Sequence, residues 1–221
     1  MKPILRNTHK YLSFFISIQL LLWTISGIYF AFNKIENIRG EQYRTQTSSN
    51  YNFQKIEFEI PDAVSVNVKK RLDKTIIAAS TKSGMRYFSE DGDGLQKISF
   101  DEAKQLVSKH TFLKPTSVEE IYTSEKGSEY RGRELPIYKV VTRNANDNEI
   151  NVYLNIFTGE VIAIRSAQWR IWDLMWGFHI MDWQARDNID NLLLKIFSIL
   201  AFISSISGIL LFFKIDIKKE A

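Results

Sequence analysis

Two apolar runs near the ends of the chain limit its fold more than any other feature. Tyr11 to Phe32 and Leu192 to Phe213 are each 22 residues long, and Lys195 is the only charged residue in either run. At about 1.5 Å per residue, a helix of that length spans a hydrocarbon core of about 30 Å. Lys195 lies one turn inside the second run, and its long side chain can reach the membrane interface. The sequence therefore predicts two transmembrane helices, at residues 11–32 and 192–213.

Basic residues flank both apolar runs on the side of the chain ends. They are Lys2, Arg6 and Lys10 before the first run, and Lys214, Lys218 and Lys219 after the second. Cytoplasmic flanks of membrane helices are enriched in such residues. We therefore expect residues 1–10 and 214–221 to be cytoplasmic and residues 33–191 to lie outside, in a protein of the bacterial inner membrane. A cleaved signal peptide is the alternative for the first run, but no A-x-A-like site follows it, which favours an uncleaved anchor.

The net charge of +4 comes from the chain ends and not from the central segment. Residues 33–191 hold 22 Lys and Arg against 23 Asp and Glu. The basic character therefore indicates contact with anionic membrane lipids, and it gives no basis for nucleic-acid binding. The chain has no cysteine, which excludes disulfides, thiolate catalysis, iron–sulfur ligation and c-type haem attachment.

The central segment is predicted to form an α+β domain over residues 33–165, because short β-rich stretches alternate there with turn residues. The predicted strands are Ser65–Lys70, Gly84–Phe88, Ser117–Thr123, Tyr138–Arg143, Ile150–Phe157 and Glu160–Ile164. A capping box at SFDE (99–102) predicts a helix that ends near His110. Turns at NANDN (144–148) and at TG (158–159) join the last three strands into an antiparallel meander.

Three stretches of this segment resemble the PepSY domain family. They are FDEAKQLV (100–107), PIYKVV (136–141) and VYLNIFTGEV (152–161). The positions that match the family pattern are Ala103, Tyr138, Val140, Val152, Tyr153, Thr158, Gly159 and Glu160, and Asn155 stands where the family often has Asp. The resemblance implies a helix packed on an antiparallel meander. It also implies binding or regulation, because PepSY domains are thought to restrain peptidases. Asn155 lacks the carboxylate of Asp, so no acidic role is expected at this position.

The two ends of the chain extend this resemblance. HKYLSFFISIQLLLWTISG (9–27) and FHIMDWQARDN (178–188) are similar to the first helix, and to the segment before the last helix, of PepSY-associated transmembrane proteins. Larger members of that group look like iron-regulated or siderophore-linked membrane reductases. The resemblance therefore implies an alternative function, as an accessory or electron-transfer subunit of such a reductase that binds haem b. In either case we expect a protein partner outside the cytoplasm, a peptidase or a reductase subunit.

Residues 166–190 hold four of the five tryptophans of the chain. Trp169, Trp172, Trp176, His179 and Trp183 follow each other at spacings of 3, 4, 3 and 4, which places them on one face of a helix. Indole rings concentrate at membrane interfaces, where their carbon atoms are buried and the N–H group meets water. The pattern predicts an amphipathic interfacial helix over 166–190, with the four tryptophans at the membrane interface.

His179 and His9 are the two candidate haem ligands, because a neutral imidazole nitrogen suits iron. The structural alternative packs His179 near Asp182 or Trp176 and places His9 near lipid phosphates. The two histidines flank opposite sides of the predicted bilayer, about 30 Å apart, so one chain cannot clamp a haem between them. A haem would need a second copy of His179 in a homodimer, or His110, which we interpret as a surface residue favoured by a helix C-terminus.

Small residues recur at near-helical spacing in both apolar runs. They are Ser13, Ser17, Thr24, Gly27 and Ala31 in the first, and Ser198, Ala201, Ser205 and Gly208 in the second. Small faces allow transmembrane helices to approach closely, so we expect these residues to form the contact between the two helices, within one chain or across a dimer. No GxSxG, HExxH, P-loop or GxGxxG pattern occurs, and we therefore expect no catalytic site and no metal site.

Overall fold

The computed structural model describes residues 2–45 and 58–216. Its helices are α1 (Lys2–Phe32), α2 (Ile35–Ile38), α3 (Phe100–His110), α4 (Ala167–His179) and α5 (Leu192–Asp216). Its strands are β1 (Ala63–Arg71), β2 (Lys74–Thr81), β3 (Gly84–Phe88), β4 (Lys114–Ile121), β5 (Ile137–Arg143), β6 (Glu149–Asn155) and β7 (Val161–Arg165). The predicted basic tail at 214–221 lies beyond the described residues except for the last turn of α5.

The chain divides into two compact units. A sheet unit comprises Ile35–Arg170, and a helical unit comprises Met1–Lys34 together with Ile171–Ala221. The sheet unit holds two antiparallel sheets, one with strand order β1-β2-β3 and one with strand order β4-β5-β6-β7. The predicted α+β class is confirmed, and the predicted strands match the observed ones to within three residues at each end.

Helix α3 packs on one face of the four-stranded sheet. The Ser99 hydroxyl accepts a hydrogen bond from the Glu102 N–H at 3.1 Å, so the predicted cap starts the helix. The apolar side of α3 is fully buried together with the alternate residues of the strands beneath it. Its buried members include Ala103, Leu106, Val107, Val140, Val152 and Leu154. Alternation in β5 and β6 thus directs one set of side chains to α3 and the other set to the opposite face.

Strand β2 is absent from the sequence prediction. Its central residues Ile76 to Ala79 are all buried, so the strand is covered on both faces. A short strand of this kind shows no alternation of apolar and polar residues, and alternation is the pattern by which single strands are recognised. The strand is recognisable only through its antiparallel pairing with β1 and β3.

The helical unit is built around α1. The structure contains two helices long and apolar enough to cross a membrane, Pro3–Phe32 and Leu192–Phe213. They run antiparallel and are staggered: the rings of Phe15 and Phe197 stack with centroids 5.7 Å apart. The Ser13 and Ser204 hydroxyls lie 2.7 Å apart, and counting back from that contact, α5 begins level with about residue 25 of α1. The C-terminal half of α1 also contacts α4, since Ser26 and Trp23 bond to His179.

Helix α4 is shorter than the predicted helix over 166–190. Met181 has φ +57°, and the Asp182 N–H donates to the Gly177 carbonyl at 3.0 Å, the long-range bond of a Schellman motif. The Asp182 carboxylate then accepts the N–H groups of Ala185, Asp187 and Asn188 and folds the following segment into a turn. Because of this motif, the helical spacing stops at His179 and does not extend to Trp183.

Candidate functional site

An open groove of about 690 Å³ lies in the sheet unit, beside β4 and the segment that joins it to β5. Its lining residues are Glu119, Glu120, Ile121, Tyr122, Thr123, Glu125, Ser128, Glu129, Tyr130, Lys139, Asn151 and Tyr153. Lys139, Asn151 and Tyr153 belong to the strand faces turned away from α3 and form its floor. Residues 122–130 form its wall. The volume lies within the range of ligand-binding clefts, which is about 300 to 1,000 Å³.

Glu129 holds the wall of the groove to its floor. One carboxylate oxygen accepts hydrogen bonds from Asn151 Nδ2 at 2.8 Å and from the Tyr153 hydroxyl at 2.9 Å. The other oxygen pairs with Arg170 Nε at 2.5 Å, and Arg170 lies in the first turn of α4. Both oxygens have hydrogen-bond partners, so Glu129 connects three segments of the sheet unit.

Trp169 and Arg165 complete this network. Two guanidinium groups lie over the Trp169 ring, with Arg165 at 4.4 Å and Arg131 at 5.6 Å from the ring centroid. Such contacts stabilise by about 0.5–1 kcal/mol at exposed sites and more when they are desolvated. Arg165 Nε also donates to the Glu129 carbonyl at 3.0 Å. Trp169 is therefore buried in the sheet unit at the start of α4.

Burial shifts the ionisation of two members of the network. The pKa of Arg165 falls from 12.5 to about 10 because of burial and of the nearby Arg133, and Glu129 partly offsets this fall. Burial and the adjacent Glu129 carboxylate raise the pKa of the Tyr153 hydroxyl well above its ordinary value of 10.0. At neutral pH the guanidinium is charged and the phenol is neutral, so the phenol donates its hydrogen to Glu129.

Two polar atoms of the groove residues have no hydrogen-bond partner among the residues that the structure describes. They are the amide oxygen of Asn151 and the hydroxyl of Ser128, and both atoms are shielded from solvent. Asn151 is only 5% exposed. A buried acceptor without a donor costs about 1–3 kcal/mol.

The residues of the PepSY pattern lie mainly in the core and in the turn between β6 and β7. Ala103, Val140 and Val152 are core residues, and the Tyr138 hydroxyl donates to the Ile98 carbonyl at 2.9 Å. Asn155 Oδ1 accepts the N–H groups of Phe157 and Thr158, each at 2.9 Å. These five residues have structural contacts, whereas Tyr153 of the same pattern lies in the groove.

The turn itself is closed by the remaining residues of the pattern. Gly159 has φ +67°, and a Cβ atom there would lie 2.3 Å from Leu106 Cδ1. Thr158 Oγ1 accepts the N–H of Glu160, and the Glu160 carboxylate pairs with Lys69. The turn thus contacts α3 directly, and only glycine fits at position 159 of the turn.

His179 lies in an aromatic enclosure on α1. Its Nδ1 is 2.8 Å from the Ser26 hydroxyl. Its ring is stacked on Trp176 at a centroid distance of 6.3 Å and meets Phe30 edge-on at 5.7 Å. The Trp23 indole N–H donates to the His179 carbonyl at 2.7 Å. The predicted packing contact with Trp176 is present.

His9 lies at the other end of α1 and contacts α5. Its Nδ1 is 2.8 Å from the Ser207 hydroxyl and 3.1 Å from the Ser204 carbonyl. Seventeen residues separate His9 from Ser26, the partner of His179, which is about 26 Å along α1. Two axial ligands must flank a single iron, so the two histidines do not fit one haem within a chain. Within the described residues, no group of three or more His, Asp or Glu residues can hold a metal ion.

The helix contact uses different small residues from most of those predicted. Ser13 Oγ lies 2.7 Å from Ser204 Oγ, and a Cβ atom on Gly208 would lie 3.1 Å from the His9 ring. Ala201 is half-buried on α5. By contrast, Ser17, Thr24 and Ser205 are exposed and bond to carbonyls of their own helices, and a Cβ atom on Gly27 would meet nothing within 4 Å. The contact between the two helices therefore lies mainly on faces other than the predicted ones.

The end of α4 separates Trp183 from the other two tryptophans, Trp172 and Trp176. The rings of Trp172 and Trp176 stack with centroids 5.7 Å apart, and Phe30 of α1 lies 5.5 Å from Trp172. Trp183 follows the helix and is 55% exposed. The four tryptophans therefore have different surroundings: Trp169 contacts arginines, Trp172 and Trp176 lie near α1, and Trp183 is exposed.

Comparison of the chain with protein-family models, with curated protein sequences and with solved structures gives no match. The groove network is also absent from the sequence predictions, because Glu129, Asn151, Arg165 and Arg170 come from separate segments with no common spacing. The one usable indication is the run of charged residues between β4 and β5, which is unusually long for a simple hairpin loop.

Proposed function

We propose that this chain is a membrane-anchored binding and regulatory protein of the PepSY type, with the sheet unit outside the cytoplasm and no catalytic site of its own. The observation that carries the proposal is the groove whose wall is tied by Glu129 to Arg170, at the first turn of α4. A ligand that displaces residues 122–130 alters a contact of the helix that continues into the apolar unit. A contact between the groove wall and this helix is expected in a binding module whose ligand influences a membrane anchor.

Membrane anchoring is supported by two helices of sufficient length and apolar character. The proposed topology places both termini in the cytoplasm of a bacterial inner membrane, because the basic residues cluster at the two chain ends. The basic flanks then contact anionic lipids. In this topology the sheet unit is exposed to a protein partner outside the cytoplasm.

The PepSY assignment within this proposal is supported by the pattern residues of the sheet unit. A helix on one face of an antiparallel meander, closed by the turn at Asn155 and Gly159, is the arrangement that the resemblance implies. By analogy with PepSY domains, the partner is a peptidase outside the cytoplasm.

The alternative, an accessory or electron-transfer subunit with haem b, has weaker support. His9 and His179 are too far apart to share an iron, so a haem at His179 requires a ligand from a second copy or from another subunit. The contact of His179 Nδ1 with Ser26 fixes the ring, as is common for ligating histidines, but the same contact serves a packing residue.

Site-specific photo-cross-linking in cells tests the binding proposal. A benzoyl-phenylalanine at Thr123, beside the groove, should yield a discrete adduct with one extracytoplasmic protein. The same probe at Asn146, in the exposed turn between β5 and β6, should not. Reciprocal purification of the adduct protein should then recover this chain without the probe. Absence of adducts from Thr123 and from further positions across residues 58–165 contradicts the proposal.

An absorption spectrum separates the two functions. The full chain is purified in detergent after haem-replete expression and recorded oxidised and reduced, alone and with co-purifying subunits. The binding proposal expects no Soret or α-band. Bands that disappear in His179→Ala would instead establish the redox alternative.

A further inference from the structure

We infer that two copies of the chain associate through β1, whose free edge pairs antiparallel with β1 of the second copy about Val66. The interface is separate from the groove, so this inference goes beyond the proposed function. It follows from the exposure of β1 and from the order of apolar and charged residues along the strand.

Strand β1 is the longest described strand, and it lies at an edge of its sheet. The strand order is β1-β2-β3, so among the described strands only β2 pairs with β1, and this pairing is regular from Ser65 to Arg71, after a bulge. Residues 63–67 are all exposed, with Val64 at 72% and Val66 at 52%. Neighbouring residues of a strand point to opposite faces, so neither face is covered here. The free edge of such a strand presents N–H and C=O groups to a further strand.

The other edge strands of the two sheets are less open to a further strand. The Leu95 N–H donates to the Tyr87 carbonyl at 3.0 Å beside β3, and Arg44 Nη2 donates to the Val161 carbonyl at 3.2 Å beside β7. Strand β4 contains Pro115, which has no N–H group to donate, and a bulge follows it. Strand β1 is therefore the edge best suited to pairing between chains.

The order of residues along β1 makes the strand complementary to a second copy of itself. Asp62 directly precedes the strand, Lys70 lies near its end, and Val66 is midway between them. With Val66 opposite Val66 in an antiparallel pair, each Lys70 lies beside Asp62 of the second copy, and Val68 lies opposite Val64. Both charged residues are exposed. Opposite charges and β-branched side chains across antiparallel strands stabilise such a pair.

Other registers lose this complementarity. Lys69, Lys70 and Arg71 are consecutive, so a pairing centred on them would place like charges opposite each other. Of these three residues only Lys70 is exposed. Lys69 and Arg71 form ion pairs with Glu160 and Glu102 of their own chain. The register about Val66 therefore uses the exposed cation of the strand and keeps the basic residues of the two copies apart.

Single cysteines in the full chain, in isolated membranes, test the pairing and its register. The chain has no native cysteine, so Val66→Cys can form a disulfide only with the same residue of a second copy. Directly opposite residues of antiparallel strands meet the geometry of a disulfide, so mild oxidation should give a linked dimer. Val68→Cys should not, because its two copies would lie about 13 Å apart along the strands. Labelling with a maleimide checks that both thiols are accessible.

Charge exchange tests the complementarity of the two strands. The Kd of the dimer is measured for the full chain in detergent by sedimentation equilibrium. Asp62→Lys and Lys70→Asp should each raise this Kd by about fivefold or more, because each places like charges together twice in the dimer. The two changes combined should return the Kd to within about twofold of wild type. The matched control, Glu149→Lys, reverses an exposed charge on β6 and should change the Kd by less than about twofold.

Three results overturn the inference. They are equal disulfide yields from Val66→Cys and Val68→Cys, a Kd that the single charge reversals leave unchanged, and a combined variant that stays as weak as the single variants. A dimer with an unchanged Kd would be held by the apolar helices and not by β1. None of these results bears on cross-linking of a partner at Thr123, so the proposed function is tested separately.

Discussion

Glu129 and Tyr153 show how single residues connect the fold to the groove. Tyr153 belongs to the PepSY pattern, and its ring is buried on the sheet face opposite α3. Its hydroxyl donates to Glu129, which in turn pairs with Arg170. The hydroxyl must be protonated to donate, and its raised pKa keeps it protonated into the alkaline range.

The raised pKa of Tyr153 predicts a loss of stability at alkaline pH. Below pH 10 the phenol is protonated in both states, so its contribution is complete. Above pH 10 the unfolded chain releases this proton and the folded chain retains it, so the free energy of unfolding falls by about 1.4 kcal/mol per pH unit. The stability difference between wild type and Tyr153→Phe should therefore shrink by about 1 kcal/mol between pH 9 and pH 11 in urea titrations.

The control for this measurement is Thr142→Val. Its hydroxyl is buried and donates to the Ile150 carbonyl at 2.6 Å, but it does not titrate. The difference between wild type and Thr142→Val should be the same at both pH values. A difference for Tyr153→Phe that is equally constant would show that the phenol ionises alike in the folded and unfolded chains.

Gly159 is the residue at which the β6–β7 turn is most sensitive. A Cβ atom there would overlap Leu106 of α3 and would occupy a left-handed backbone conformation. We expect Gly159→Ala to lower the free energy of unfolding by about 2 kcal/mol or more, from the conformational cost and the overlap together. Gly94→Ala is the control, because a Cβ atom there meets nothing within 4 Å. Equal urea midpoints for the two variants would contradict the contact.

At the scale of elements, α1 contacts two other helices at different positions along its length. Its N-terminal half contacts α5 through Ser13 and His9, and its C-terminal half contacts α4. The side chains of Gln19 and Trp23 donate to the Phe178 and His179 carbonyls at the end of α4. Capping by side chains of α1 is what such an end requires in an apolar environment.

Cysteine cross-linking tests the observed contact face of α1 and α5. The chain has no native cysteine, so an introduced pair is the only source of a disulfide. Ser13→Cys with Ser204→Cys replaces two hydroxyls 2.7 Å apart and should cross-link within one chain under mild oxidation. Ser17→Cys with Ser205→Cys, on the exposed sides of the same helices, should not. The reverse result, read from mobility on non-reducing gels, would favour the faces predicted from small-residue spacing.

For the whole molecule, α4 is the element that belongs to both units. Its first turn, up to Arg170, lies in the sheet unit, and the remainder from Ile171 lies in the helical unit. Asp173 is buried there and pairs with Arg186 at 3.2 Å. The Glu129–Arg170 contact belongs to the sheet unit, and the His179–Ser26 contact at the other end of α4 belongs to the helical unit.

The proposed topology predicts which sites are accessible from outside the membrane. In spheroplasts, a membrane-impermeant maleimide should label Ser124→Cys in the sheet unit. The same reagent should label Thr8→Cys only after the membrane is permeabilised. Both positions are exposed, so burial does not account for a difference. Labelling of Thr8→Cys in sealed spheroplasts would contradict a cytoplasmic N-terminus.

Much of the fold could be predicted because its determinants are local. The cap at Ser99, the alternation in β5 and β6 and the turn at Gly159 are each contained in fewer than ten residues. The end of α4 could not be predicted, because Met181 adopts a left-handed conformation that is unusual for such a residue. The face of α1 that contacts α5 could not be predicted either, since the packing of two helices depends on the side chains of both.

The sequence by itself determined the two apolar helices and the neutral α+β segment between them, because hydrophobic periodicity and turn chemistry act over short distances. Only the tertiary structure decided where a ligand can bind. The floor, wall and rim of the groove come from β4, β5, β6 and the segment before β5, and Glu129 meets Asn151, Tyr153 and Arg170 only after the sheet has formed. Tertiary structure also gave the tryptophan-rich segment different contacts along its length, since Trp169 is buried beside arginines of the sheet unit and His179 contacts α1.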